Sequence, residues 1–263
     1  MAMRVDVITL MPELYGPHLS LGVTRRAFDG GPMAVKLWPL REHAEGAYRR
    51  VDDRPFGGGP GMVMLAEPLH RCIGAIRAER AERAERADPA PLIHFTPTGR
   101  RLDQAWVREL AAGPGFVLLC SRYEGVDQRL LDAHAVVEMS MGDYVLSSGD
   151  LPALMLLDAV ARLQDGVLHD PASHQQDSFS EDGLLDCPHY SRPEQWPDGP
   201  QGQAVPPVLL SGHHAAIAQW RREQSLRLTA QRRPDLIEAA RAAGRLSPAD
   251  ERCLASWGYT RGL

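Results

Sequence analysis

Four stretches combine small, polar and charged residues at spacings that could serve a ligand. The first is VDDRPFGGGPGMVM, Val51 to Met64. A glycine-rich loop suggests phosphate binding, but no Lys-Ser/Thr follows, so it is not a Walker loop, and the strand–helix setting of a Rossmann GxGxxG is absent. Three consecutive glycines cost backbone entropy; a surface turn and a mobile lid that lets a ligand touch the backbone both fit. The second stretch is PLIHFTPTGRRL, Pro91 to Leu102, and the third is FVLLCSRYEGVDQR, Phe116 to Arg129. In each, an apolar run ends in small and polar residues, and ligands of open α/β sheets sit at the carboxyl ends of strands. Glu124 has Arg122 and Arg129 nearby, which a salt-bridged loop would also explain.

The fourth stretch is MGDYVLSSGDLPALMLLDAVARL, Met141 to Leu163. Its first half keeps the backbone bare: Gly142, Ser147, Ser148 and Gly149 surround Tyr144-Val145-Leu146 with almost no charge. Such a run lets another group come very close to the main chain. Its second half is apolar at helical spacing, with Asp150 as a plausible N-cap and Pro152 in the first turn. Arg162 sits at the end of that helix, where the dipole favours a cation. Asp177, in HQQDSFSEDGLLDCPHYSRP, could open a short helix as its N-cap.

The elements that must position these residues read as α/β. Val5–Leu10, Ala34–Leu40, Pro91–Phe95 and Phe116–Cys120 are short apolar strands. They alternate with helical segments at Glu67–Ala84, Asp103–Ala112 and Asp150–Leu163, which suggests a largely parallel sheet. Ala78 to Ala87 is three tandem Ala-Glu-Arg units and reads as a solvated helical extension with paired charges. From Asp165 to Pro207 the chain turns polar and rich in Gly and Pro, like a linker into a second domain. From Val208 it is helical again.

The chain has 263 residues, enough for one large domain or two smaller ones. Its 44% apolar and 24% charged content is ordinary for a soluble globular protein. No apolar run reaches a membrane span, and the N-terminus reads as a first strand rather than a signal peptide, so the expected location is cytoplasmic. Cys72, Cys120, Cys187 and Cys253 lie far apart without CxxC spacing, which argues for free thiols. A net charge of −5 disfavours a protein that coats nucleic acid, but the charge is uneven. His169–Ser211 holds seven acids against Arg192 alone, whereas Trp220–Arg245 holds seven arginines against three acids. A basic helical tail thus follows an acidic connector.

Together these stretches resemble the bacterial tRNA (guanine-37 N1)-methyltransferases, members of the SPOUT class. The resemblance runs from VITLMPELY through VDDRPFGGGPGM, CSRYEGVDQR, GDYVLSSGDLPA and DSFSEDGLLDCPHYSRP to VPPVLLSGHH. It implies an α/β fold with a parallel sheet that ends in a deep trefoil knot, followed by a small all-α C-terminal domain. The implied domains are a methyltransferase domain at 1–168, a linker at 169–186 and a helical tRNA-binding domain at 187–263. The stretch from Gly142 to Gly149 matches the loop that wraps S-adenosylmethionine (SAM).

The cofactor-binding residues that the resemblance implies come from three segments. The first strand end supplies His94, Phe95, Thr96, Pro97, Thr98 and Gly99, and the second Ser121, Tyr123, Glu124 and Gly125. The knot loop supplies Met141, Gly142, Asp143, Tyr144, Val145, Leu146, Ser148 and Gly149, with Pro152 opening the next helix. Ser121 and Ser148 stand where the family usually has glycine, which matters if those positions need positive φ. His94-Phe95 stands where Tyr-Leu is often found, and Thr96 and Thr98 where Ser and Gln are.

Methylating N1 of neutral guanine requires a base for its proton and a cation for the charge that develops on O6. The resemblance gives those roles to Asp177 and Arg162. It implies a homodimer with the active site at the subunit interface, and Mg²⁺ in the transfer step, with Glu124 the first acid to consider. Gly59, Pro60, Gly61, His189, Tyr190, Arg192, Arg221 and Arg222 are the implied tRNA contacts. Three rival readings remain: the same fold acting on another RNA base, a non-catalytic RNA-binding protein with a SAM pocket, and a glycine-loop nucleotide hydrolase.

Overall fold

The computed structural model describes residues 2–83, 89–169, 176–196 and 203–260. The chain splits into two compact units, Met1–Pro171 and Ala172–Leu263.

Unit 1 is built on a five-stranded sheet in the order β2-β1-β6-β5-β7. Its strands are β1 (Met3–Thr9), β2 (Met33–Pro39), β5 (Leu92–Arg101), β6 (Gly115–Leu119) and β7 (Val136–Ser140). Every pairing within it is parallel. Two short strands, β3 (Asp52–Asp53) and β4 (Val63–Met64), pair antiparallel across the glycine-rich loop. The helices are α1 (Tyr15–Ser20), α2 (Arg25–Phe28), α3 (Ala66–Arg83), α4 (Gln104–Ala111), α5 (Gln128–Ala133) and α6 (Asp150–Ala161).

Alternation along the strands explains why both faces are covered. Val5 and Val7 of β1, with Phe116 and Leu118 of β6, pack into one core with Trp106 and Leu110 of α4 and Leu156, Leu157 and Val160 of α6. Ile8, Val117 and Leu119 point into a second core with Leu69, Cys72, Ile73 and Ile76 of α3. Buried polar residues interrupt the apolar faces at Asp6, Thr9, His94 and Ser140. Asp6 is fully buried and accepts from Trp38 Nε1 at 2.7 Å and from Arg80 Nη1 at 2.6 Å. Arg4 adds two more bonds at 2.9 and 2.8 Å.

The expected strands and helices recur with ends moved by a few residues, and α1, α2, α5, β3 and β4 join them without having been expected. β7 was not anticipated: VVEMS carries a glutamate, and only its last two residues are buried. Asp150 is not an N-cap. It is the first residue of α6, and its carboxylate turns inward to other partners. Of the Ala-Glu-Arg units, α3 covers the part up to Arg83, and residues 84–88 lie outside the described residues.

Unit 2 contains α7 (Pro207–Leu210), α8 (His214–Arg232), α9 (Pro234–Ala242) and α10 (Pro248–Ser256). Its core joins Leu184 to Leu226 and Ala230 of α8, Ile237 and Ala240 of α9, and Leu254 of α10. Ser247 and Asp250 cap α10 reciprocally. Asp177 lies in a turn rather than at the start of a helix. Part of the expected connector, 170–175, and residues 197–202 and 261–263 lie outside the described residues.

Candidate active site

The carboxyl ends of β5, β6 and β7 meet around a cavity of about 310 Å³, within the roughly 300–1,000 Å³ usual for small-ligand sites. Three segments wall it. His94, Phe95, Thr96 and Pro97 come from β5, and Ser121, Tyr123, Glu124 and Gly125 follow β6. Met141, Gly142, Tyr144, Val145, Leu146, Ser148, Gly149 and Pro152 come from the stretch that leads into α6.

The bare backbone has a local cause. Gly149 donates its N–H to the carbonyl of Ser121 at 2.8 Å. A Cβ on Gly149 would stand 2.9 Å from Cys120 Cα, closer than real contacts allow. The strand end and the loop therefore touch main chain to main chain, and Arg122 bridges antiparallel to Ser148. Serine at 121 and 148 introduces no strain, because neither residue is among those with positive φ. Tyr123 does hold such a conformation, at φ 62°, which costs a non-glycine residue about 1–2 kcal/mol.

Three expected residues do not line the cavity: Thr98, Gly99 and Asp143. After Phe95 the strand bulges outward and re-pairs with β7 at Arg100. Gly99 sits in that bulge, where a Cβ would lie 2.4 Å from Met139 N, so its bareness serves the sheet. Thr98 is exposed and bonds Thr96 at 2.9 Å, while Asp143 faces solvent. Conversely, Met139 and Ser140 line the cavity without having been anticipated, and Arg122 and Ser147 line it from within the expected walls though not singled out as cofactor contacts. Met139 and Ser140 belong to β7, the strand whose weak pattern hid it. Arg122 lay in a recognisable motif but read as a salt-bridge partner. Its guanidinium instead meets Met11 Sδ at 3.0 Å, while Arg129 pairs with Asp127 at 2.6 Å.

Beneath the cavity is a buried polar cluster. Asp150 Oδ1 accepts from Thr9 Oγ1 at 2.6 Å and from Tyr15 Oη at 3.0 Å. Tyr15 Oη also lies 3.3 Å from Cys120 Sγ. Burial, with Cys120 and Asp150 adding to it, holds the Tyr15 phenol far above its ordinary pKa, so it stays a donor. These bonds fasten the start of α6 to β1 and to the end of β6.

His94 is 4% exposed, and its Nε2 lies 3.0 Å from Ser121 Oγ. Burial lowers the pKa of the imidazole, which is therefore neutral at pH 7. Its Nδ1 is buried with no partner among the described residues. Ser121→Ala leaves a second ring nitrogen unmatched and is expected to cost about 1–3 kcal/mol of stability. The double change His94→Phe, Ser121→Ala removes both polar partners and is expected to cost less than Ser121→Ala alone. Urea denaturation of the set checks this; a double variant that loses as much stability as Ser121→Ala, or more, would contradict it.

The glycine-rich loop is stitched to the same wall. Glu124 donates its N–H to the Met62 carbonyl, and Met64 to that of Gly125, each at 2.9 Å. Gly61 packs on the Glu124 side chain, whereas Gly59 and Pro60 do not line the cavity. Arg162 is the C-cap of α6 and half-buried. Asp177 is half-buried in unit 2. Also in unit 2, His189, Tyr190, Arg192 and Arg221 line one cavity together, and His189 Nε2 lies 2.8 Å from Asp186 Oδ2. Arg222, an expected tRNA contact, is engaged within unit 2. Asp250 holds its guanidinium through two bonds at 2.9 and 3.0 Å and Asp182 through a third, so it braces unit 2.

Comparison with known proteins completes the picture. The family model described as tRNA (Guanine-1)-methyltransferase TrmD matches residues 3–239. A tRNA (guanine-N(1)-)-methyltransferase of Leptothrix cholodnii is 68% identical over 97% of this chain and 99% of its own length. One from Paracidovorax citrulli is 65% identical over 96% and 98%, and one from Bordetella pertussis is 55% identical over 97% of each. With a model match across most of its length and relatives this similar end to end, the chain belongs to the tRNA (guanine-1)-methyltransferase family.

Proposed function

We propose that this chain, a tRNA guanine-N1-methyltransferase by family, moves the methyl group of SAM onto N1 of guanine 37, beside the anticodon. The observation that carries the cofactor reading is the strand-end cavity whose wall is bare main chain at Gly149 and Ser121. Its volume and its mixture of exposed backbone with Tyr144, Val145 and Leu146 suit an adenosine with its polar sugar. When bound, SAM supplies an electrophilic methyl group on sulfur.

The chain's own residues have three tasks. Asp177 takes the N1 proton of guanine, which frees the nitrogen lone pair for the methyl carbon as the carbon–sulfur bond breaks. Arg162 donates hydrogen bonds to O6 as charge gathers there, a task that suits its fixed fork of donors. The loop from Gly142 to Gly149 holds the methyl donor. The target base is flipped from its stack to reach the site.

In this reading residues 1–168 form the SPOUT domain with its trefoil knot, 169–186 the linker and 187–263 an all-α domain that grips the tRNA. The working form is a cytoplasmic homodimer, with the linker that carries Asp177 coming from the partner of the subunit that wraps SAM. The described residues assemble no all-protein cage for Mg²⁺. Their one cluster of three or more metal-ligating side chains, Asp186, Cys187 and His189, offers a thiol and an imidazole, whereas Mg²⁺ takes oxygen ligands.

Arg162→Ala tests the assignment. Loss of a preorganised donor to a developing oxyanion costs about 10²–10³ in turnover. Single-turnover methylation is expected to fall by that factor, with tRNA affinity little changed. A pure loss of affinity would make Arg162 a phosphate contact instead.

A further inference from the structure

Unit 2 carries its own cavity of about 360 Å³. Its lining divides by chemistry. Leu209, Leu210 and Ile217 are apolar, and Tyr190 and Trp220 add two rings whose centroids lie 6.1 Å apart at a tilt of 58°. Tyr190 is 49% exposed, so its ring meets solvent as well as Trp220. Arg192 and Arg221 bring two cations to the lining, beside His189.

The two arginines differ from Arg222, Arg233 and Arg241. Within unit 2, Asp182 and Asp250 hold Arg222, Asp235 holds Arg233, and Glu238 and Glu251 hold Arg241. Arg192 and Arg221 make no ion pair among the described residues. Two cations left for an outside anion, beside two aromatic rings, form the combination that binds single-stranded nucleic acid: a charged track for the backbone and a platform for a base.

We infer that this cavity is a nucleotide subsite for one unstacked residue of the RNA substrate, distinct from the site that receives the target guanine. The base lies against Tyr190 and Trp220, and its phosphate meets Arg192 and Arg221. Glu194, the one carboxylate in the lining, accepts from an exocyclic amino group and so favours guanine, adenine or cytosine over uracil. The inference rests on the tRNA reading above.

The test is filter binding of a methyl-accepting tRNA transcript to the full-length protein over a series of salt concentrations. Trp220→Leu and Tyr190→Leu are each expected to weaken binding by about 5- to 150-fold, with Tyr190→Phe restoring most of the loss. Arg221→Gln is expected to lower the slope of log affinity against log salt by about 1. SAM affinity is expected to stay level in all four. Circular dichroism reports folding, and the exposure of Tyr190 keeps the test open if Trp220→Leu does not fold. Unchanged tRNA affinity and salt slope in folded Tyr190→Leu and Arg221→Gln, with a wild type that binds and methylates tRNA, would overturn the subsite. A wild type that fails to bind tRNA would overturn the underlying reading instead.

Discussion

Asp177→Ala is expected to abolish measurable methyl transfer while SAM affinity stays level. At neutral pH, N1 of guanine keeps its proton, and its lone pair is tied into the ring system. Methylation without a base would leave a cationic purine, a high-energy product. A positioned general base contributes about 10²–10⁴ in rate, and the alanine variant forfeits it. Asp177 is half-buried and belongs to unit 2, while the proposed SAM cavity lies wholly within unit 1. In the proposed reading the carboxylate meets the guanine rather than the cofactor, so SAM affinity stays level. Isothermal titration with SAM, beside single-turnover transfer from labelled SAM, separates the two effects. Loss of SAM binding in parallel with activity would show that Asp177 supports the pocket rather than the chemistry.

The largest expected effect on stability belongs to Asp6, far from any proposed chemistry. Its carboxylate is fully buried and takes four hydrogen bonds, from Arg4, Trp38 and Arg80. The Arg80 side chain is itself only 4% exposed. Asp6→Ala removes the carboxylate that neutralises a buried guanidinium, and breaking one side of such a pair costs about 3–5 kcal/mol. In unit 1 that corresponds to a drop in Tm of roughly 6–20 °C. Asp6→Asn keeps an acceptor for Trp38 and is expected to fall between. Thermal unfolding followed by circular dichroism should show the first transition moving and that of unit 2 staying in place. A shift under about 2 °C for Asp6→Ala would mean that the cluster adds nothing beyond the apolar cores.

How much was legible in the sequence depended on how strongly burial patterns the residues. β6 read clearly because a strand covered on both faces is apolar at nearly every position, and β1 because Val5, Val7 and Ile8 stand out beside its polar residues. β7 did not, since it lies at the sheet edge and buries only Met139 and Ser140. Asp103 was readable as the start of α4, and its side chain does accept from Trp106 N at 2.8 Å. Asp150 looked equivalent, but tertiary partners 141 and 135 residues away, Thr9 and Tyr15, claimed its carboxylate. The small residues from Gly142 to Gly149 signalled a close approach, and Gly149 against Cys120 is one. That Gly99 serves the sheet rather than the cavity depended on a register shift between β5 and β7, which no local pattern encodes. The pairing of Arg222 with Asp182 and Asp250 was hidden for the same reason, because seven arginines in one segment look alike until their carboxylates are placed.

The central claim is that this chain methylates N1 of guanine 37 from SAM. The most direct measurement is label incorporation from methyl-labelled SAM into a tRNA transcript with guanine at positions 36 and 37, beside one with adenine at 37. The account predicts label in the first transcript alone, recovered as 1-methylguanosine after digestion. Label in both, or in neither while SAM remains bound, would contradict it. The first result would point to another target base, and the second to an RNA-binding protein that keeps the cofactor pocket without the reaction.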